Sequence, residues 1–250
     1  MEDRGPAAYI AEFIGTLLLV FFVTAAVSVY VPASTPQGVQ SAPDFAVIGL
    51  VHVFVLFGLI QTLAVASGAH FNPAVTVALA ALRQIKPPDA VIYIVAQLAG
   101  AVAGALLTKW LLTEFSNAEA VNYGATAISE RLDEKILLGM LGEGLGTFML
   151  VWVIVGVAVA PAGLKDWSGF AIGCALGLGV MIIGPLTGAG FNPARVFGPD
   201  LVSGEFGGFD DFMLVYVLAP IIGALLAALI YFNLFMAPGK KEPGGAGPVG

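Results

Sequence analysis

The sequence predicts an all-α membrane protein, with six membrane-spanning helices and two shorter helices that enter the membrane without crossing it. Three observations predict this fold. Hydrophobic residues make up 58% of the 250 residues and charged residues only 11%, whereas soluble domains carry roughly 25% charged residues. Apolar stretches of about 20 residues, the length that crosses a bilayer, account for most of the chain. The first half of the chain also recurs in the second half.

The spans are separated by polar or Gly/Pro-rich breaks. We predict them at residues 7–31, 46–66, 89–112, 136–160, 168–187 and 212–236. Six spans place both termini on the same side of the membrane. Two further apolar segments, residues 72–83 and 192–203, are too short to cross and have the length of half-membrane helices or surface loops.

The two halves of the chain are related by an internal repeat. Residues 67–74 (SGAHFNPA) recur as residues 187–194 (TGAGFNPA), and Glu12 in the first span matches Glu143 in the fourth. Each repeat contains three spans, an odd number, so the second repeat must enter the membrane upside down relative to the first. Matching elements of the two halves should therefore meet near the middle of the membrane.

These repeats define the domain organisation. We predict one transmembrane domain, residues 1–250, with a first repeat at about 7–112, a second at about 136–236 and a flexible Gly/Pro-rich tail at 237–250. Loop cations, which favour the cytoplasmic side, predict cytoplasmic termini, and the short tails suggest a plasma (cell inner) membrane. On the side of the termini lie Arg4, Arg83, Lys86, Lys165, Lys240 and Lys241, and on the other side lie Lys109, Arg131 and Lys135.

The repeated tripeptides Asn72-Pro73-Ala74 and Asn192-Pro193-Ala194 each open a short apolar segment. Asparagine is a good helix N-cap, and proline fits the first helical turn, where its missing N–H has no partner to lose. Both tripeptides therefore predict helix starts. A helix that starts inside a bilayer exposes N–H groups, which is tolerated only where it is buried in protein or lines a wet cavity.

The inverted repeat would point these two helix starts at one another near the midplane. Each helix N-terminus carries about half a positive charge, so cations and protons would be repelled between them. The side-chain amides of Asn72 and Asn192 could donate to a passing oxygen and interrupt a hydrogen-bonded chain of water. The pattern thus favours a passive channel for water or a small neutral solute.

The two motif segments, residues 67–75 and 187–195, resemble the paired signature loops of the aquaporin, or major intrinsic protein, family. The likeness covers about residues 7–236. It implies the hourglass fold, a homotetramer with one pore per protomer, and Asn72 and Asn192 as the central donors. It also implies that Arg195 belongs to the outer constriction, the selectivity filter. An arginine in an apolar context should face a polar cavity, which agrees with that role.

The family's spacing, counted from the two motif asparagines, places His52, Val180 and Ala189 beside Arg195 in this filter. The counts to His52 and Val180 run through helices, whereas Ala189 is local to the motif. The resulting filter departs from the family's water-selective and glycerol-conducting patterns, since it lacks their aromatic residues. Small side chains at Val180 and Ala189 imply a wider opening, so the solute stays open between water and glycerol-like molecules.

Several polar residues allow two interpretations. Glu12 and Glu143 could relay protons in a transporter, or each could accept hydrogen bonds from the N–H groups of a re-entrant loop, which the family resemblance supports. We favour this loop-bracing role, and we expect His70 to brace its loop rather than to contact solute. His52 is either a filter residue, with pH-dependent conductance as a further alternative, or a helix histidine satisfied by a neighbour.

Other functional classes are less well supported. The net charge of −7 comes from acids in connecting segments, which does not suggest a nucleic acid partner, and a single cysteine excludes a multi-cysteine metal site. We expect no cofactor, and no nucleophile, base and orienting group have the spacing of an enzyme active site. The alternatives are a secondary transporter of a small solute and a non-conducting structural membrane protein. The expected partners are the lipid bilayer and further copies of the chain.

Overall fold

The computed structural model describes residues 4–31 and 42–236, and the flexible tail expected at 237–250 lies outside the described residues. Within those ranges every regular element is helical. In chain order the helices are α1 (Pro6–Tyr30), α2 (Ala42–Ser67), α3 (Pro73–Ala81), α4 (Pro87–Leu111), α5 (Ser116–Ala120), α6 (Ile136–Ile154), α7 (Ser168–Thr187), α8 (Pro193–Ser203) and α9 (Ala219–Tyr231). Wider, π-type turns extend α6 over Val155–Val159 and flank α9 over Asp211–Leu218 and Phe232–Met236.

The six predicted spans are confirmed as α1, α2, α4, α6, α7 and the continuous helix Asp211–Met236 around α9. All six are long and apolar enough to cross a membrane, with mean hydropathies from 1.8 to 2.6. The second span begins at Ala42 rather than at residue 46. The reason is that the first turn contains an acid, Asp44, which interrupts the apolar run but is favourable near a helix N-terminus.

The helices pack as two matching halves. Helix α1 contacts α2 and α4 just as α6 contacts α7 and α9, while α2 and α7 meet each other between the halves. The short helices α3 and α8 each pack on the last span of the opposite half: α3 lies against α9, and α8 lies against α4. This exchange brings α3 and α8 into contact with each other. The architecture is the predicted inverted repeat, with the two half-membrane helices meeting inside it.

Polarity is arranged for a lipid environment. Large apolar side chains face outward, among them Leu137, which is 75% exposed, and Leu145, which is 58% exposed. Charged and polar side chains face inward instead: Glu12 and Glu143 are completely buried. Because lipid cannot hydrogen-bond to such groups, they must find partners within the protein. The protein is therefore an integral, multi-pass membrane protein.

Glycines allow close contact between the spans of each half. A Cβ atom on Gly100 of α4 would lie 2.4 Å from the Phe13 carbonyl oxygen of α1, and one on Gly104 would lie 2.4 Å from that of Leu17. In the second half, a Cβ atom on Gly223 would lie 2.1 Å from the Gly144 carbonyl oxygen. These backbones touch because small residues let membrane helices approach one another.

We expect Gly100→Ala to destabilise the protein by about 1–3 kcal/mol, because the added methyl group must push α4 away from the α1 backbone. The measurement is thermal unfolding of the purified protein in detergent. Gly58→Ala is the matched control, since Gly58 lies in a spanning helix with nothing within 4 Å of an added Cβ atom. Equal thermal stability of the two variants would contradict the packing described here.

Candidate pore and selectivity filter

A cavity of about 470 Å³ passes between the two halves of the bundle. One end is lined by Arg195 and His52, and Arg195 lies beside the loop that joins α4 to α6. The other end is lined by Arg4 and Lys165, which precede α1 and α7. Asn72 and Asn192 also line this cavity. The residues that the two signature motifs predicted as pore donors therefore face one shared space.

The Asn-Pro-Ala motifs begin α3 and α8 as N-caps. The Asn72 Oδ1 atom accepts a hydrogen bond from the backbone N–H of Ala74 at 2.9 Å. The Asn192 Oδ1 atom accepts from the N–H groups of Ala194 at 3.0 Å and Arg195 at 3.3 Å. Pro73 and Pro193 occupy the first helical turn, and Ala74 and Ala194 are fully buried. Capping fixes each side chain, so its amide nitrogen points away from its own helix.

The two motifs also hold one another. The Asn72 Nδ2 atom donates to the Phe191 carbonyl at 2.8 Å, and the Asn192 Nδ2 atom donates to the Phe71 carbonyl at 2.8 Å. A side-chain amide carries two hydrogens. Each asparagine thus uses one N–H to join the two re-entrant loops and keeps a second for the cavity.

The loop before each motif has an unusual backbone. Four non-glycine residues adopt positive φ angles: Ala69 and Phe71 before the first motif, and Ala189 and Phe191 before the second, all between 49° and 54°. Such conformations cost energy and persist only where the surroundings fix them. This backbone conformation points successive N–H groups of each loop toward one buried glutamate.

Glu12 is that acid in the first half. Its carboxylate accepts from the Ser67 hydroxyl at 2.6 Å and from the backbone N–H groups of His70 at 2.9 Å and Phe71 at 2.7 Å. A fourth donor, the Gln97 amide, lies 2.8 Å away. Every contact goes to the loop or its supports, which is the geometry of a brace rather than of a proton relay.

Glu143 has the matching position in the second half. It accepts from the Thr187 hydroxyl at 2.5 Å and from the N–H groups of Gly190 at 2.8 Å and Phe191 at 2.6 Å. Neither Glu143 nor Glu12 is among the residues that line the cavity. The acids therefore lie behind the pore wall.

Two tyrosines that sequence reasoning gave no role complete these supports. The Tyr93 hydroxyl donates to the Ser67 carbonyl and the Tyr216 hydroxyl donates to the Thr187 carbonyl, both at 2.8 Å. The signal that could have identified them is their equal spacing in the two repeats. Gln97 was also missed, and it has no equivalent in the second half, where the matching position is Pro220.

The structure brings two of the four predicted filter residues together at the cavity. Arg195 is 3% exposed and donates from Nη1 to the Gly124 carbonyl at 3.1 Å. His52 places Nδ1 2.8 Å from the Ile48 carbonyl, which leaves its Nε2 atom for the cavity. Val180 and Ala189 are not among the residues that line this cavity, and both belong to a buried apolar cluster that also contains lining residues such as Leu176.

His70 combines the two interpretations considered for it. Its Nδ1 atom lies 3.1 Å from the Thr76 hydroxyl, and its ring packs edge-on against Tyr93 with 5.1 Å between centroids. The same residue also lines the cavity. It therefore supports the first re-entrant loop while presenting an edge to the cavity.

The charges along the cavity have one sign. Arg4, Lys165 and Arg195 line it, and no carboxylate does so among the described residues. The N-termini of α3 and α8 add partial positive charge at its centre. Such a lining opposes the entry of cations, whereas it offers hydrogen-bond donors to uncharged oxygen-bearing molecules.

Comparison with known proteins agrees with this architecture. Residues 5–231 match the model of the family described as "Major intrinsic protein". The chain is 34% identical to Aquaporin TIP2-1 of Arabidopsis thaliana over 241 residues, covering 94% of this chain and 90% of that protein. It is 37% identical to Glycerol uptake facilitator protein-like 6 of Lactiplantibacillus plantarum over 227 residues, covering 88% and 94%.

A solved structure extends the comparison to the fold. The aquaglyceroporin from Plasmodium falciparum superposes with a TM-score of 0.74 at 24% sequence identity, covering 92% of this chain and 96% of that one. Its fold is thus the fold described here. From the matched residues, the inverted repeat and the two opposed half-membrane helices, we conclude that the chain belongs to the major intrinsic protein family.

Proposed function

We propose that the protein is a passive channel that conducts water and small neutral solutes while excluding protons and ions. The observation that carries this proposal is the hydrogen bonding of Asn72 and Asn192. Each donates one amide hydrogen to the opposite re-entrant loop and has a second amide hydrogen left for the cavity. A water molecule between two such donors must offer them its oxygen. Its neighbours can then no longer relay a proton through that point.

The side chains that line the cavity are compatible with the passage of several kinds of small solute. Apolar side chains such as Leu56, Leu150 and Leu176 line it beside the donors of Asn72 and Asn192. An apolar wall with a few polar groups suits a molecule that has both carbon and hydroxyl faces, as well as water. Relatives named for water and relatives named for glycerol uptake both match most of the chain, which fits a channel for both.

The proposal extends to single residues, to the assembly and to the membrane. We assign Arg195 and His52 to the selectivity filter at the outer end, with Val180 and Ala189 shaping it from behind, and Glu12, Glu143 and His70 to loop support. The protein is proposed to act as a homotetramer with one pore in each protomer, in the plasma membrane with its termini in the cytoplasm. These assignments extend the family resemblance to this chain residue by residue.

A secondary transporter is the main alternative, because inverted repeats with broken helices also occur in that class. Ion-coupled transport requires a group that binds the coupling ion in the substrate pathway. Among the described residues the cavity has no carboxylate, and Glu12 and Glu143 are occupied by the loops. The geometry therefore favours a passive pore.

The experiment uses proteoliposomes and stopped-flow light scattering. Vesicles are shrunk with an impermeant solute and then allowed to re-swell in increasing concentrations of glycerol, with and without proton or sodium gradients. We expect shrinkage and re-swelling faster than in empty liposomes, with a glycerol flux that is proportional to concentration and insensitive to either gradient. Saturable, gradient-driven flux would identify a transporter, and no flux above empty liposomes would identify a structural protein.

A further inference from the structure

The half-membrane helix α8 carries two charged residues, Arg195 and Asp200. Arg195 faces the cavity, whereas Asp200 is fully buried and does not line it. Burying a carboxylate is costly unless donors surround it. The pore described above gives Asp200 no role.

Asp200 contacts the outer loop that joins α4 to α6. Its Oδ1 atom accepts from the backbone N–H of Thr126 at 3.4 Å. Two residues earlier in the same loop, the Gly124 carbonyl accepts from Arg195 at 3.1 Å. Asp200 and Arg195 therefore hold the same three-residue stretch of loop, Asp200 from behind and Arg195 from the cavity side.

This stretch is inserted closely between helices. Gly124 has a φ angle of 81°, and a Cβ atom there would lie 2.9 Å from the Thr24 Cα atom of α1. A Cβ atom on Gly188, at the end of α7, would lie 3.0 Å from the Thr126 methyl group. The loop backbone is thus closely packed on both sides. Because Thr126 is only two residues from Gly124, a small displacement of Thr126 would also move the Gly124 carbonyl.

Other contacts fix the ends of the loop independently of Asp200. The Asn117 amide donates to the Ser28 and Val31 carbonyls at 2.7 Å, and the Ser129 N–H donates to the Leu186 carbonyl at 2.8 Å. Removing the Asp200 contact should therefore loosen only the middle of the loop. That middle part is the one that meets Arg195.

Asp200 and Arg195 each also have a buried polar atom without a hydrogen-bond partner. The Oδ2 atom of Asp200 and the Nε atom of Arg195 are buried without a hydrogen-bond partner among the protein atoms, whereas the Thr126 side chain has the Tyr216 hydroxyl as a neighbour. The bond from the Thr126 N–H is thus the contact that joins this carboxylate to the loop.

We propose that Asp200 is a positioning residue for the selectivity filter: its carboxylate holds Thr126, which fixes the Gly124 carbonyl and, through it, the Arg195 guanidinium. The inference rests on the proposed channel function. Asp200 does not touch the solute in this arrangement. It determines where the arginine stands, and hence how well the filter discriminates larger neutral solutes from water.

The test measures glycerol and water permeabilities of proteoliposomes containing Asp200→Ala, alone and combined with Arg195→Val. We expect the alanine variant to raise the glycerol-to-water permeability ratio at least threefold in the wild-type background. In the Arg195→Val background it should change the ratio less than 1.5-fold, about the level of measurement error, because residues that act through one another are not additive. An equal rise in both backgrounds, or no rise in either, would overturn the proposal.

Asp200→Asn tests whether hydrogen bonding or charge is responsible. Asparagine keeps an oxygen that can accept from Thr126 but has no charge, so its permeability ratio should stay close to that of the wild type. A ratio like that of the alanine variant would overturn the hydrogen-bonded link. Asp210→Asn, which removes one exposed outer charge, controls for a general effect of charge.

Thr126→Pro approaches the same contact from the loop and guards against misfolding of the Asp200 variants. Proline lacks the N–H that Asp200 accepts, and Ala125, with φ −57° and ψ 151°, already has a conformation that suits a following proline. The ratio should rise as in Asp200→Ala, and an unchanged ratio would refute the link. Wild-type vesicles with no flux would overturn the proposed function itself, whereas wild-type flux with unaltered variants would overturn this inference alone.

Discussion

Arg195→Val is expected to raise the permeability to glycerol relative to water at least tenfold, about 1.4 kcal/mol in relative barrier height. Arg195 lines the cavity and donates to the Gly124 carbonyl, and in the proposed filter its guanidinium narrows the opening and presents donors to the solute. Valine removes both the bulk and the donors. It also removes a charge that is costly to bury, so the variant should remain folded.

The measurement is glycerol-driven re-swelling and osmotic shrinkage of the same proteoliposomes, normalised to the amount of incorporated protein. Arg131→Val is the matched control, because Arg131 is an exposed arginine of the outer loop. The control should behave like the wild type. A permeability ratio that does not change in Arg195→Val would mean that the constriction lies elsewhere in the cavity.

Glu143→Leu is expected to prevent stable folding. The substitution leaves the N–H groups of Gly190 and Phe191 and the hydroxyl of Thr187 without their acceptor. Each buried, unsatisfied group costs about 1–3 kcal/mol, so the total loss is of order 3–9 kcal/mol. A loss of that size is comparable to the whole stability of many folded domains, about 5–15 kcal/mol.

Fluorescence-detected gel filtration after heating in detergent measures this effect. Glu143→Gln is the matched control, because the amide oxygen can still accept from part of the loop while the second oxygen is lost. It should lie between the wild type and Glu143→Leu. If the leucine variant were as heat-resistant as the wild type, Glu143 would not be the support of the second re-entrant loop.

The spans and half-membrane helices were predictable because their causes are local. Apolar length determines which segments cross a bilayer, and the Asn-Pro pairs at Asn72 and Asn192 determine where α3 and α8 begin. The wider turns over Val155–Val159 and Asp211–Leu218 were not predicted. Their apolar composition is the same as that of an ordinary α-helical span, so the sequence contains no signal for them.

The site could be predicted where the repeat doubled the signal. Glu12 and Glu143 occupy equivalent positions, and both are surrounded by loop N–H groups in the structure. Gln97 was not predicted because its contact with Glu12 occurs in one half only. Repeat symmetry therefore could not reveal it.

The arrangement of side chains at the outer end of the cavity could not be predicted from the sequence. Counting along a helix gives the position of Val180 but not the direction of its side chain, and Val180 is not among the residues that line the cavity. The contact between Asp200 and Thr126 joins residues 74 positions apart in the chain. A long-range contact of this kind depends on the path of an irregular loop, which composition and periodicity do not determine.

The most direct test of the central claim is the simultaneous measurement of osmotic water flux and proton flux in the same wild-type proteoliposomes. Light scattering follows shrinkage, and an internal pH dye follows protons under an imposed membrane potential. The two asparagines, each hydrogen-bonded to the opposite re-entrant loop, predict water flux well above that of empty liposomes, with a weak temperature dependence and no added proton flux. Proton flux that rises together with water flux, or water flux equal to that of empty liposomes, would contradict the account.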